Sequence, residues 1–187
     1  DVFVQNLKPG ALAKLGYGVE TLREKHPRLI CCSISGYGES GALAERKAYD
    51  LLIQAESGLA SITGGPSEPA RVGTSVVDIS TGAEAARAIL EALYARERTG
   101  QGADIRLSMF DVIVDWMAVP FLHAQSGAPP RRVGLAHPSI APYGVFVTRD
   151  DKKILISIQN EREWGKLCRA ALAAPHFADD PRFHLNV

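Results

Sequence analysis

One aspartate, Asp78, stands at the head of the most regular helical pattern in the chain, and its type and place suit two roles. A carboxylate with an ordinary pKa of about 3.9 is charged at neutral pH and needs no helper base to attack an electrophile, unlike a serine or a thiol. Unpaired backbone amides and the helix dipole at a helix start would favour that charge by roughly 0.3–1 kcal/mol. The same position suits a helix N-cap, so pattern alone leaves nucleophile and cap both open. Upstream, the glycine-rich run Ser35-Gly36-Tyr37-Gly38-Glu39-Ser40-Gly41 follows an apolar stretch, where a strand would release the chain at a sheet's carboxyl edge. Gly36 and Gly38, and the loop 134–142 that begins at Gly134, could present backbone amides to a developing oxyanion, because glycine lets other groups approach closely. Plain turn geometry is the alternative for each.

These groups need elements to place them. Residues 1–4 read as the end of a buried strand, closed by Gln5-Asn6 and a Pro9-Gly10 turn. Residues 20–26 are helical in composition until Pro27, and residues 29–34 form an apolar run of strand length. A helix is expected over 49–63, broken near Gly58 and closed by Gly64-Gly65-Pro66, with a loop running on to residue 77. From Asp78 the spacing of Ile79, Ala83, Ala86, Leu90 and Leu93 predicts a helix with that stripe facing a core, ended by Thr99-Gly100-Gln101-Gly102. Residues 103–108 alternate as a strand does, and 110–125 read as helix with an interruption at Pro120.

Alternating helices and strands indicate an α/β domain. After Gly127-Ala128-Pro129-Pro130 the composition shifts. Residues 145–147 and 154–158 then pair as a hairpin across Asp150-Asp151, with a helix over about 161–172. The expected organisation is part of a large domain over 1–110, a linking helix and loop over 111–142, and the start of a smaller α+β domain over 143–187.

Composition narrows the classes of function. Of 187 residues, 46% are hydrophobic and 22% charged, as in globular domains, and 21 basic residues balance 21 acidic ones. No net field draws in nucleic acid or an anionic membrane, so neither is an expected partner. The most apolar central stretch, 112–122, is broken by Asp115 and Pro120 and is too short to cross a bilayer. The three cysteines, two of them adjacent, lack ligand spacing, so the expectation is buried thiols in a reducing compartment, the cytoplasm, with no metal site. With no initial methionine or signal segment, the chain is expected to be an internal piece of a longer protein.

Several strings, in order, resemble the family III CoA-transferases. They are Asp1-Val2-Phe3-Val4-Gln5-Asn6-Leu7-Lys8-Pro9-Gly10, Leu15-Gly16-Tyr17-Gly18, Pro27-Arg28-Leu29-Ile30 and Ser33-Ile34-Ser35-Gly36-Tyr37-Gly38. Further on come Tyr49-Asp50 with Gln54-Ala55, Val76-Val77-Asp78 with Gly82, Arg96-Glu97-Arg98-Thr99-Gly100-Gln101-Gly102 and Ala136-His137-Pro138. Each string is weak alone; their number and order carry the resemblance, which spans nearly the whole chain. It implies a Rossmann-like large domain, incomplete here, followed by the start of the small domain, and an interlocked homodimer.

The activity so implied is transfer of coenzyme A from an acyl-CoA thioester to a free carboxylic acid, with Asp78 carrying the CoA as a covalent intermediate. The thiolate is a good enough leaving group that no strong general acid is required. By position in the resemblance, Asn6, Leu7, Lys8, Lys14, Arg46, Lys47, Ala48 and Tyr49 match the CoA-binding segments, and His137 matches a contact to the acceptor acid. Lys14 stands where relatives often carry arginine, which keeps the charge and loses bidentate phosphate binding. Solvated surface charge is the alternative for the four cations. Related acyl-CoA racemases use a histidine where this chain has Tyr49, which favours transferase over racemase. A catalytically silent CoA-binding fragment is a third reading, and the identities of donor and acceptor acids are open.

Overall fold

A computed structural model describes residues 1–183. Contacts divide the chain into two units, one made of Asp1–Ser61 and Arg71–Pro129, the other of Ile62–Ala70 and the chain from Pro130 onward.

The first unit is built on three parallel strands, β1 (Val2–Gln5), β2 (Ile30–Ser35) and β3 (Asp104–Ser108), in spatial order β1-β2-β3. Val2 pairs with Ile30 and Cys31 with Asp104, and the β2–β3 register ends at Ser35 opposite Ser108. Parallel neighbours require crossovers, and helices supply them. Between β1 and β2 lie α1 (Ala11–Lys14) and α2 (Val19–Lys25); between β2 and β3 lie α3 (Asp50–Glu56), α4 (Leu59–Ile62) and α5 (Val76–Thr99). After β3 come α6 (Met109–Trp116) and α7 (Ala118–Gln125). The central strand β2 is covered on both faces, so the adjacent Cys31 and Cys32 are both fully buried, as expected of small apolar side chains. Ile53 of α3, Val77 of α5 and Ile113 of α6 form the centre of the core, directly beneath the start of α5.

Three expectations are corrected. The stripe Ile79, Ala83, Ala86, Leu90 does not face the core: Ile79 is 60% and Leu90 66% exposed, and the buried side of α5 is Val77, Ser80, Thr81, Ala85 and Arg96. Ser80 and Thr81 can be buried because their hydroxyls donate to the Val77 carbonyl within the helix, at 3.1 and 2.7 Å, leaving a small, satisfied face for close packing. The break after β3 falls at Met117, not at Pro120. Pro120 sits in the first turn of α7, where a missing N–H leaves no bond unmade. Finally, α5 starts at Val76 with Ser75 in the N-cap position, so Asp78 lies inside the first turn and is not the cap.

The far end of α5 is tied down by Arg96, whose buried guanidinium donates to the Asp1 and Arg28 carbonyls. Gly100 then ends the helix in the left-handed conformation at φ 70, as the sequence predicts. The break near Gly58, at φ 83 between α3 and α4, also matches expectation.

In the second unit, β4 (Tyr143–Val147) and β5 (Lys153–Ser157) form the expected antiparallel hairpin, followed by α8 (Glu161–Ala170) and a 3-10 turn, Pro175–Ala178. Asn160 caps α8 by accepting the Glu163 N–H at 3.1 Å. The segment around Gly64 is held to this unit by Gly134 N–H to Gly64 O, 2.9 Å, and Arg132 Nε to Gly65 O, 3.1 Å. Among the described residues no helix is long and apolar enough to cross a membrane.

Candidate active site

The first turn of α5 receives no side-chain cap from Ser75. A buried carboxylate from another helix takes over that task. Asp50, the first residue of α3 and 8% exposed, accepts the Val77 N–H at 2.8 Å and the Asp78 N–H at 3.3 Å through one oxygen, Oδ2. Its Oδ1 accepts from Gln54 Nε2 at 2.6 Å, and the fully buried Gln54 in turn accepts the Val72 N–H at 2.8 Å. Residues at i and i+4 of α3 thus pin both the start of α5 and the loop that leads into it.

The Asp78 side chain is exposed and lines a cavity of about 800 Å³, a size suited to a small-molecule ligand. Its pKa is raised, first by burial and then by the nearby negative charge of Asp50. From the sequence, helix-start amides are expected to favour the charge. Two of those amides, on Val77 and Asp78 itself, are given to Asp50 instead. One turn along the same face, Gly82 also lines the cavity, and a Cβ there would touch nothing within 4 Å. A glycine inside a helix is unfavourable by roughly 0.5–1 kcal/mol. No packing need explains it, and its effect is to leave free space beside the carboxylate.

The cavity collects most of the positions singled out in the sequence. Asn6, Leu7 and Lys8 line it from the loop after β1, and Arg46, Lys47, Ala48 and Tyr49 from the segment that leads into α3. Arg46 is held by Glu56 through two hydrogen bonds, 3.2 and 2.6 Å, and lies over the Tyr37 ring. Lys47 sits over the exposed Tyr49 ring, 5.2 Å from its centroid. Gly36 lines the cavity too, and a Cβ on it would overlap the Ala48 Cβ, so glycine is required for the two loops to touch. Lys14 is exposed on α1 and is not among the lining residues.

Other positions are engaged elsewhere. The Gly38 N–H donates to Ser35 Oγ at 3.0 Å, and the Gly134 N–H to the Gly64 carbonyl at 2.9 Å. Gly134 and His137 belong to the second unit, where His137 Nδ1 accepts the Ser139 N–H at 3.1 Å and its ring faces Tyr143. Among the described residues no histidine lines the Asp78 cavity.

Competing chemistries find little support elsewhere. Cys31 and Cys32 are buried, and burial pushes both thiols up, away from the reactive thiolate. No cluster of three or more His, Cys, Asp or Glu side chains that could hold a metal ion occurs among the described residues. A second cleft of about 680 Å³ between α5, β3 and α6 carries Arg87 and Arg106. Both are already paired, Arg87 with Glu84 and Glu91, Arg106 with Asp104, Glu20 and Glu39.

The sequence alone suggests no role for Asp50 and Gln54, although both fall in strings that carry the resemblance. Their i, i+4 spacing is the one local signal. The decisive contact, to Val77, spans 27 positions and leaves no trace in local pattern.

The family model described as CoA-transferase family III matches residues 1–187. The chain is 42% identical to an acetyl-CoA:oxalate CoA-transferase from Acetobacter aceti, over 100% of the chain and 48% of that protein. It is 40% identical to a succinate–glutarate CoA-transferase from Agrobacterium fabrum, over 100% of the chain and 46% of the relative. A crystal structure of a CAIB/BAIF family protein from Brucella suis superposes with a TM-score of 0.83 at 39% identity, over 100% of this chain and 49% of that one. The chain therefore spans about half the length of the relatives it matches. With a family-model match over the whole chain and a parallel α/β unit of matching fold, the chain belongs to CoA-transferase family III.

Proposed function

We propose that the full-length protein transfers coenzyme A from an acyl-CoA thioester to a free carboxylic acid, and that Asp78 carries the CoA between them. The observation that supports this most is the exposed Asp78 carboxylate opening onto a cavity whose lining also carries Lys8, Arg46 and Lys47. Cations there suit the phosphates of CoA, and the Tyr49 face suits a stacked base. Charge on Arg46 is partly answered by Glu56, which leaves Lys8 and Lys47 as the main electrostatic contribution.

The steps balance without an external acid or base. An Asp78 oxygen attacks the thioester carbonyl, the C–S bond breaks, and CoA leaves as thiolate from an acyl-aspartyl anhydride. The thiolate attacks the aspartyl carbonyl of that anhydride, forming aspartyl-CoA and releasing the donor acid as carboxylate. The acceptor carboxylate attacks the aspartyl thioester and again expels thiolate, giving a second anhydride. Thiolate then attacks the acceptor's carbonyl, yielding the new acyl-CoA and the free Asp78 carboxylate. A raised Asp78 pKa makes the attacking oxygen more basic, in keeping with this role.

The names of the relatives point to oxalate and glutarate, so a small dicarboxylic acid is the acceptor class we favour. We take the parallel unit as part of a Rossmann-like large CoA-binding domain (1–110), joined by 111–142 to a small domain that begins at 143. We further take the protein as an interlocked homodimer acting in the cytoplasm, consistent with three unpaired, buried thiols. Racemase chemistry would need an imidazole beside the carboxylate, and the position before Asp50 holds Tyr49.

The test is intact-mass measurement of full-length protein incubated with acetyl-CoA or succinyl-CoA. CoA esterified on Asp78 is the expected result. Asp78→Asn should lower turnover at least about a thousandfold while leaving CoA-ester affinity within a few fold, since the amide is near-isosteric and cannot form the anhydride. Exchange of the α-proton with no adduct would replace transferase by racemase. Binding with neither adduct nor exchange would leave a CoA-binding protein.

A further inference from the structure

We propose that Asp50, clamped by Gln54 and holding the Val77 and Asp78 amides, is a positioning residue that sets where the Asp78 carboxylate stands in the cavity. This rests on Asp78 being the nucleophile.

The hydrogen bonds support a positioning role and not a reacting one. Both Asp50 oxygens are committed, Oδ2 to the two helix amides and Oδ1 to Gln54. Asp50 also borders the cavity, but it is only 8% exposed and both its oxygens are bonded, whereas Asp78 is exposed, so Asp78 is the carboxylate a ligand can reach. Because Asp50 grips the amide of Asp78 itself and that of its predecessor, any slack at Asp50 moves the nucleophile's own backbone. Misplacement of a reacting group by about 1 Å can slow a reaction on the order of a hundredfold.

The choice of an anion for this task carries a second meaning. Ser, Thr or Asn caps a helix without charge, and would spare the repulsion between two carboxylates at one helix end. Here the cap is an aspartate, and its charge acts on Asp78 in the direction of greater basicity. The other charged groups around the cavity are Lys8 from the loop after β1, and Glu45, Arg46 and Lys47 from the segment before α3, with Arg46 paired to Glu56. From β2, the residue after it and α6 the lining is Ile34, Ser35, Gly36 and Met109, none of which carries charge. Asp50 is thus the anion bonded to the nucleophile's own helix turn, while the cations approach from the loops.

The experiment measures single-turnover formation of the Asp78 adduct in full-length protein, with saturating and sub-saturating succinyl-CoA, across acid to neutral pH. Asp50→Asn keeps an oxygen for the amides and removes the charge. It should slow adduct formation about tenfold, leave KM for the CoA ester within about twofold, and move the acid limb to lower pH. Gln54→Ala loosens the clamp and keeps the charge. It should slow adduct formation similarly with the acid limb in place, and it serves if Asp50→Asn does not fold. Native-like rates in both variants would overturn the proposal. So would a loss confined to KM or to melting temperature with the acid limb of Asp50→Asn unmoved, which would reduce Asp50 to an ordinary helix cap. Asp78→Asn run in parallel separates the layers: if it still forms the adduct, the nucleophile assignment itself has failed. If it is dead while Asp50→Asn and Gln54→Ala are native-like, only the role of Asp50 has.

Discussion

At the scale of single residues, the environment of Asp78 costs the folded protein stability. Partial burial, then the charge of Asp50, raise its pKa, so ionising it is harder in the folded protein than in the unfolded chain. The sign follows from linkage. Below the ordinary aspartate pKa of about 3.9 the group is protonated in both states and contributes nothing to the difference. As pH rises through the window between the unfolded and the higher folded value, the unfolded state is favoured, and stability is lost. At neutral pH the native protein therefore carries a standing penalty at this site. Asp78→Asn should melt higher than the native protein at neutral pH, with the gap closing as the pH falls below the ordinary aspartate range. Thermal melts of both at several pH values measure this; a variant that melts no higher at neutral pH contradicts it. Asp78 itself was legible from sequence because a charged residue at a helix start, followed one turn later by glycine, matched a family string. Asp50 stood in a neighbouring string, yet its task depends on a helix it meets only after folding.

Elements show where local pattern is sufficient and where it is not. The periodicity of α5 identified the helix and its glycine stop, because both depend on nearest neighbours along the chain. It misassigned the buried side. Two offset stripes exist, one carrying Ile79 and Leu90 with alanines between them and one carrying Ala85 with Ser80 and Thr81, whose hydroxyls are satisfied, and the sheet and α6 accept the second. The reason is distance: a helix packs closest through its small side chains, and those hydroxyls are already bonded within the helix. The turn after α5 shows the same economy of space. Gly102 donates its N–H to the Pro27 carbonyl at 2.8 Å, and a Cβ there would overlap the Leu29 carbonyl, a backbone group that cannot rotate away. Gly102→Ala should destabilise the protein by about 1–3 kcal/mol, seen as a lower urea midpoint. An unchanged midpoint would mean that the chain ends around β2 can separate freely.

For the whole molecule, the exposed apolar side chains call for cover. Ile79, Leu90 and Tyr94 on α5, Trp116 on α6, and Val119 and Leu122 on α7 are all solvent-facing. Monomers seldom leave so many large apolar groups in water, and further chain or a second copy would remove them. Light scattering of the full-length protein should give twice the mass of one chain. A monomeric mass would remove the interlocked dimer from the proposed function, while leaving the cavity and Asp78 as described.

What the sequence determined alone is the order and kind of most elements and the family, since hydrophobic period, breakers and short strings are local quantities. Tertiary structure alone decided which side of α5 is buried, which loops share the cavity, and that a buried carboxylate at position 50 holds the helix start at 77 and 78. Those facts arise from contacts between residues far apart in the chain. Such contacts are set by how helices and strands fit against one another, which spacing along the chain does not encode.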